Sequence, residues 1–436
     1  MSAAAAITPA PSAALTRLQA VFAQHPGAAM PVRKQAFEQF LQRGFPTTRD
    51  EQWKYTNLRR LEAREFGIGQ PDAADTVSLP TLENAYQLVF VDGWYRPALS
   101  TVPTTSGLRI SSLAELQAKD TTILATALSI TAKDNSRLVA LNTALAQDGV
   151  LIESADNMVL DKPIALTFAW SNQTVSLMAH PRIVVRLGKH SKLCVVEQYL
   201  DSGSTGHFNN VVSTAQLAEG AQLEHCRIQT ENNQTFHIGS LHAEVAAHAK
   251  LTSHQVNFGA VLARMDIHVC LQGAGASAAL NGLQFATGNQ HHDTHTLVEH
   301  AVPHTSSSED YRGIADERGR VVFNGKVLVH EKAIKTDAQQ SSRNLLLANT
   351  AEIDTKPELE IYNDDVKCAH GATVGQLDAN ALFYLRSRGI DLAQARALLT
   401  HAFADHIIAH LPIAELREQL TAAGHARFGA KLDATP

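Results

Sequence analysis

Four tripeptides decide the fold: Ser191-Lys192-Leu193, Ala221-Gln222-Leu223, Ala249-Lys250-Leu251 and Ala278-Ala279-Leu280. Their leucines stand 30, 28 and 29 residues apart, and Gly188, Gly220 and Gly275 each precede one of them by one to three residues. A period near 29 with strand-like content marks a stacked array. A single turn cannot bury its own apolar face, so each turn must pack on the next. The spacing predicts a parallel β-solenoid, with a β-sandwich as the competing arrangement.

Outward from this repeat, short β-branched runs continue in both directions. Leu88-Val89-Phe90-Val91, Ile183 to Leu187, Ile267 to Leu271, Val321-Val322-Phe323 and Val327-Leu328-Val329 read as strands with tight connections. Ser111 to Leu145 interrupts them with helical Leu and Ala spacing. The expected organisation is a helical domain over 1–85, a β core over 86–375 with a helical insertion near 111–145, and a C-terminal helical domain over 376–436.

The first domain carries one clear helix. Ala36, Phe37, Phe40 and Leu41 form a stripe within Val32 to Phe45, and Gly44 and Pro46 stop it. A second short helical stretch is expected around Glu51 to Phe66, then a linker from Gly67 to Asp72. Trp53-Lys54-Tyr55-Thr56 reads as a packing cluster with polar handles. At the other end, Ala379 to Arg388 is a helix with Gly389 at its C′ position. Asp391 and Gln394 begin another by capping. That helix is expected to carry Leu392, Ala395, Leu399, Ala402, Phe403 and His406 on one face and to be ended by Pro412, with fraying after Leu420.

The 436 residues are 44% apolar and 18% charged, with a formal net charge of −6. That balance gives no electrostatic case for nucleic acid. The Ala-rich start lacks the basic region of a signal peptide, and no run of about 18 apolar residues implies a membrane span. Four scattered cysteines fit a reducing, cytoplasmic setting. The chain has no phosphate-binding loop, dinucleotide fingerprint, nucleophile elbow or Cys-x-x-Cys pair.

Three places carry candidate chemistry. Cys368 and His370 follow a strand-like run, so in an extended segment they share a face. Thiolate and imidazole ligate zinc, iron or an iron–sulfur cluster. Two donors are too few, because such sites want about four, so the pair needs ligands from the solenoid wall or another chain. A buried cysteine beside a surface histidine is the alternative. His291, Asp293 and His295 would also share a strand face, a weaker metal candidate with a polar outer strand as the alternative. Glu309-Asp310-Tyr311-Arg312, with Asp316-Glu317-Arg318, reads as a solvated turn, with acid–base catalysis as the minor alternative.

The residues also carry a family resemblance. Asn324-Gly325-Lys326 to Val329, Asp337-Ala338-Gln339-Gln340, Asn344 to Leu347, Lys356 to Asp378 and Phe383 to Ile390 resemble the SufB/SufD family of iron–sulfur cluster assembly proteins. Arg49 to Thr56 and His291 to His304 resemble further parts of it. The His370 to Asp378 stretch is similar to the SufD branch. One departure is Ala369, where the family pattern suggests serine.

The resemblance implies a right-handed parallel β-helix between helical domains, acting as a scaffold without catalysis of its own. It implies a complex with SufB, through the β-helix, and with the ABC-type ATPase SufC, through C-terminal helices that include Phe383, Tyr384, Arg386 and Arg388. It places Cys368 and His370 at an inter-subunit site for iron or a nascent cluster. A flavin in the assembled complex is a further expectation, attached to no residue. An uncovered solenoid end allows a homodimer of the isolated chain. Two alternatives stand beside this: a SufB-like paralogue accepting persulfide sulfur on Cys368, and a β-helix carbohydrate-active enzyme, which lacks the acidic row it would need.

Overall fold

The computed structural model describes residues 12–71, 77, 79, 82–129, 136–201 and 203–428. Asp72 of the expected linker, residues 130–135 of the helical insertion and both chain ends lie outside this set.

The centre is a parallel β-solenoid of about eight turns. Each turn gives one strand to either of two sheets. One sheet runs from Gly149–Ser154 through alternate strands to Glu352–Ile361, the other from Ile164–Trp170 to Lys367–Gly375. Leu193, Leu223 and Leu251 are direct register partners, as the repeat predicts. The fourth tripeptide is displaced: Leu251 pairs with Ala278, and Leu280 pairs with Ser253. The turn between those strands is shorter than its neighbours. The two-residue offset preserves strand parity, so Leu280 still faces the interior with Leu193, Leu223 and Leu251.

The glycines before the tripeptides mark a stacked corner. His190, Gly220, His248, Gly275, His304 and Lys335 all adopt positive φ, between 55° and 74°. The amides of His190, Gly220, His248 and His304 each reach the carbonyl of the residue just before the following corner, as His248 does to Ala274. Gly275 itself bonds His304 O. Glycine suits the left-handed region, and histidine or lysine enters it at some cost.

The helix Pro31–Arg43 forms as expected and buries Ala36, Phe37 and Phe40. An additional helix, Ala13–Gln24, buries Ala14 and Leu18. The second stretch is a 3-10 turn, Glu51–Trp53, and one turn of helix, Arg59–Glu62. Gly67–Ile68 is not linker but a short strand, because it pairs with Leu177–Met178 on the solenoid. Among its described residues the insertion holds three helices, Leu113–Lys119, Thr121–Leu128 and Arg137–Leu145.

At the C-terminal side, helix Ala379–Ser387 ends at Gly389, whose φ of 89° fits the C′ position. Asp391 caps helix Leu392–Ile408 by accepting from the Gln394 amide. The buried face of that helix differs from the expected one. Ala395, Ala397, Thr400, Ala404, Ile407 and Ile408 are buried, whereas Leu392, Ala402 and His406 are exposed. Ile407 and Ile408 pack on Cys226, Ile228, Val256 and Phe285, and Arg312 donates to the Phe403 carbonyl at 2.9 Å. The solenoid wall thus selects the face. Helix Ala414–Phe428 follows without fraying at Leu420.

Candidate functional site

Strand Lys367–Gly375 is the last rung of its sheet and pairs on one side only, with Asp337–Leu346. Cys368 stands opposite Ala338, and His370 stands opposite Gln340. Parity continues along the columns of rungs. Leu193, Leu223, Leu251, Ala278, Ser307, Ala338 and Cys368 form one inward file. Val195, His225, Ser253, Leu280, Glu309, Gln340 and His370 form the next. Cys368 and His370 therefore share a face, and that face is the solenoid interior. No further turn covers it among the described residues, so His370 is exposed and Cys368 is half-buried against Ala338, Val327 and Val329. Burial raises the Cys368 thiol above its ordinary value. The Ala338 backbone hydrogen bond opposes the rise and the Asp337 charge adds to it. At neutral pH the group is a thiol until a cation displaces its proton.

Exposed apolar side chains surround this end: Ile361, Tyr362, Val374, Phe383, Tyr384 and Leu392. Helix Ala379–Ser387 buries no residue. Phe383 is 75% exposed, and the Arg388 guanidinium covers the Tyr384 ring at 4.8 Å. The two later helices are anchored to the solenoid wall, so this first one is the free surface of the C-terminal region.

His291, Asp293 and His295 do share a face, but their partners are Arg264 of the neighbouring strand and Gln52 and Thr56 of the N-terminal segment. Arg264 Nη1 donates to Asp293 Oδ2 at 2.5 Å, and Thr56 Oγ1 donates to the same oxygen. His291 Nε2 then donates to Thr56 Oγ1 at 2.8 Å. His295 Nε2 lies 3.0 Å from Asp293 Oδ1, and its Nδ1 lies 3.3 Å from Gln52 Oε1. Trp53 stacks on the Arg264 guanidinium at 3.9 Å. Burial alone would raise the Asp293 carboxyl; His295 and Arg264 overcome this and hold it well below the usual carboxylate range. The arrangement works as a clasp binding Gln52, Trp53 and Thr56 to the solenoid. Among the described residues, no three His, Cys, Asp or Glu side chains are grouped to hold a metal ion.

Glu309 to Arg312 is not a solvated turn. It lies in strand Ser306–Ala315, where Glu309 and Tyr311 face the interior and Asp310 and Arg312 face the C-terminal helices. Burial lifts the Glu309 carboxyl to about 7 against hydrogen bonds from Thr296 and Gln340. Sequence reasoning also missed a polar interior further back. Glu197 accepts from Tyr199 Oη and Ser213 Oγ, both at 2.7 Å, with His225 Nε2 at 3.2 Å. Strand parity was the available signal, because Glu197 shares the face of inward-pointing Val195 and Tyr199.

No helix among the described residues is long and apolar enough to cross a membrane. Residues 168–403 match the family model for the SUF system FeS cluster assembly SufBD core domain, and residues 16–166 match the SufBD protein N-terminal region. The chain is 35% identical over 388 residues to an iron–sulfur cluster assembly SufBD family protein of Synechocystis, covering 86% of both chains. It is 34% identical over 409 residues to the iron–sulfur cluster assembly protein SufD of Escherichia coli, covering 92% of this chain and 93% of that one. A SufBD family protein of Mycobacterium bovis is 29% identical over 386 residues, 87% of this chain and 88% of its own. With 86–92% of its length shared at 34–35% identity and its solenoid matched as a core domain, the chain belongs to the SufBD family of SUF-system iron–sulfur cluster assembly proteins.

Proposed function

We propose that the chain is the SufD-type scaffold subunit of a cytoplasmic SUF assembly complex. Cys368 and His370 are its half of a site for iron or a nascent cluster. One observation carries this: the inward face of the last rung is uncovered, and two metal-binding side chains stand on it. A SufB-type partner laying its own strand along Lys367–Gly375 would bury that face and bring the missing donors. The imidazole of His370 offers a cation a nitrogen lone pair, whereas Cys368 binds one as a thiolate. The raised thiol also disfavours the SufB-like alternative, in which Cys368 attacks a sulfur donor as thiolate. The exposed helix Ala379–Ser387, with Phe383, Tyr384, Arg386 and Arg388, suits a SufC-type ATPase, and nucleotide hydrolysis belongs to that partner.

Co-expression with SufB- and SufC-type partners, affinity capture of this chain, and iron and sulfide analysis test the proposal. Both partners should be retained. His370→Ala should keep the complex but lower its iron and sulfide. Capture of neither partner refutes the scaffold role, and normal cluster maturation with His370→Ala refutes the site. Without partners, the same open edge is available to a second copy, which sedimentation analysis reads directly.

A further inference from the structure

Behind His370 the inward file continues through two buried polar side chains. Gln340 and Glu309 are register neighbours, 4% and 3% exposed. Gln340 Nε2 donates to Glu309 Oε1 at 3.0 Å, and Thr296 Oγ1 donates to Glu309 Oε2 at 2.5 Å. The other side of the amide is shaped by Gly325. A Cβ at that position would collide with Gln340 Nε2 and approach Phe323 Cζ, so the missing side chain makes the space the amide occupies. One end of Gln340 is thus gripped by a carboxyl group and confined by backbone. Its other end, Oε1, is buried with no hydrogen-bond partner among the described residues. A buried carbonyl oxygen without a donor is unfavourable, because it has given up water for nothing. The next side chain in this file, on the rung that ends the solenoid, is His370.

An imidazole offers one N–H and, on its other nitrogen, a lone pair. Metal-binding histidines nearly always donate that N–H to a carbonyl or carboxylate, which selects the tautomer and aims the lone pair. Taking His370 as a ligand, as above, we propose that Gln340 is its positioning residue. When a partner closes the solenoid end, the His370 N–H is donated to Gln340 Oε1, and the opposite nitrogen faces the incoming metal. Glu309 and Thr296 act one step further back by holding the amide. The bond satisfies the one unpartnered atom of Gln340 and removes the rotational freedom of an exposed ring.

The test uses the full chain reconstituted with its SufB- and SufC-type partners and Co²⁺ as an optical probe. Gln340→Leu should assemble yet bind Co²⁺ about 10- to 100-fold more weakly. Gln340→Glu, which keeps an acceptor oxygen and shares one proton with Glu309 in place of the amide N–H, should restore most of the affinity. Nitrogen-15 imidazole spectra should show a single His370 tautomer in the wild-type complex and a mixture in Gln340→Leu. Wild-type Co²⁺ affinity in Gln340→Leu overturns the proposal, as do equally weak Glu and Leu variants, which would mean packing alone. If Gln340→Leu fails to assemble, the wild-type spectrum still decides, because a mixed tautomer there refutes the bond. If His370→Ala leaves Co²⁺ affinity unchanged, the ligand reading of His370 falls, and the tautomer spectrum judges the Gln340 bond separately.

Discussion

Replacing Asp293 with asparagine should loosen the N-terminal segment without disturbing the solenoid. The substitution keeps the side-chain shape and removes the charge that Arg264, Thr56 and His295 address. Breaking a buried ion pair from one side costs about 3–5 kcal/mol. Arg264 keeps Asp266, bonded through Nε at 3.2 Å and Nη2 at 2.7 Å, so the low end applies. About 3 kcal/mol corresponds to a change on the order of 100-fold in a local opening equilibrium. The amides that report it are Trp53, Lys54 and Thr56, which bond to carbonyls of the same turn. Their hydrogen-exchange protection should fall by that factor, while amides of strands Lys192–Asp201 and Gln222–Gln229 keep theirs. Acid gives a second arm. The Asp293 pKa is depressed in the folded chain, so its contribution is present above the unfolded carboxylate value of about 3.9 and is lost as pH falls toward the folded one. Wild-type protection of the turn should therefore weaken below about pH 4, and Asp293→Asn should flatten that dependence. Unchanged turn amides, or equal loss across the solenoid, would refute the clasp.

Three further outcomes follow from the same geometry. The Glu309 carboxyl is raised to about 7, so its ionisation opposes folding: stability is full below the unfolded value near 4.3 and declines as pH rises to about 7. Relative to wild type, Glu309→Gln should gain on the order of 3 kcal/mol in denaturant titrations between pH 4 and pH 8, and a flat difference would contradict the burial argument. Gly325→Ala should cost about 1–3 kcal/mol by overpacking against Gln340 and Phe323, read as a lower urea midpoint; no change would mean the space is not needed. Phe383→Asp, at a 75% exposed position, should leave thermal stability within about 0.5 kcal/mol and abolish capture of the SufC-type partner, and retained capture would remove that helix from the interface.

The solenoid was legible because the leucines at 193, 223 and 251 are real rungs of one ladder. The repeat looked weak because its corner accepts Gly, His or Lys, any residue that will take a positive φ. The helix Pro31–Arg43 and the Asp391 cap were legible because their causes are local. Features that depend on another element were not. Leu392 lies on the predicted stripe of its helix, yet the wall formed by Ile228 and Phe285 takes Ile407 and Ile408 instead. Asp293 looked like a ligand because nothing near it in sequence reveals Thr56 or Arg264 as its partners. Glu309 looked like a turn because its neighbours Asp310 and Arg312 carry charge, but only alternate residues of that strand see solvent or helix. The Cys368–His370 pair was legible as two donors on one face. Which face required the full column of rungs.

The two ends of the solenoid are finished differently, and the difference bears on what the open one is for. At the start, Leu108–Ser112 covers Gly149–Ser154 in antiparallel fashion, and Trp94–Tyr95 closes the other sheet. Leu113, Leu116 and Leu124 pack over Leu151 and Val184 there. At the finish, Glu352–Ile361 and Lys367–Gly375 have no further strand among the described residues. Unpaired strands invite association, and proteins normally blunt them with charge and proline. The first of these two edges is blunted: it carries Glu352, Asp354, Lys356, Pro357, Glu358 and Glu360. The second carries one charged residue, Lys367, and then Cys-Ala-His-Gly-Ala-Thr-Val-Gly. Small side chains there, with open space around Gly371 and Gly375, allow another backbone to approach closely. An edge guarded on one sheet and left smooth on the other supports the proposed docking side, a partner strand laid against the rung that holds His370.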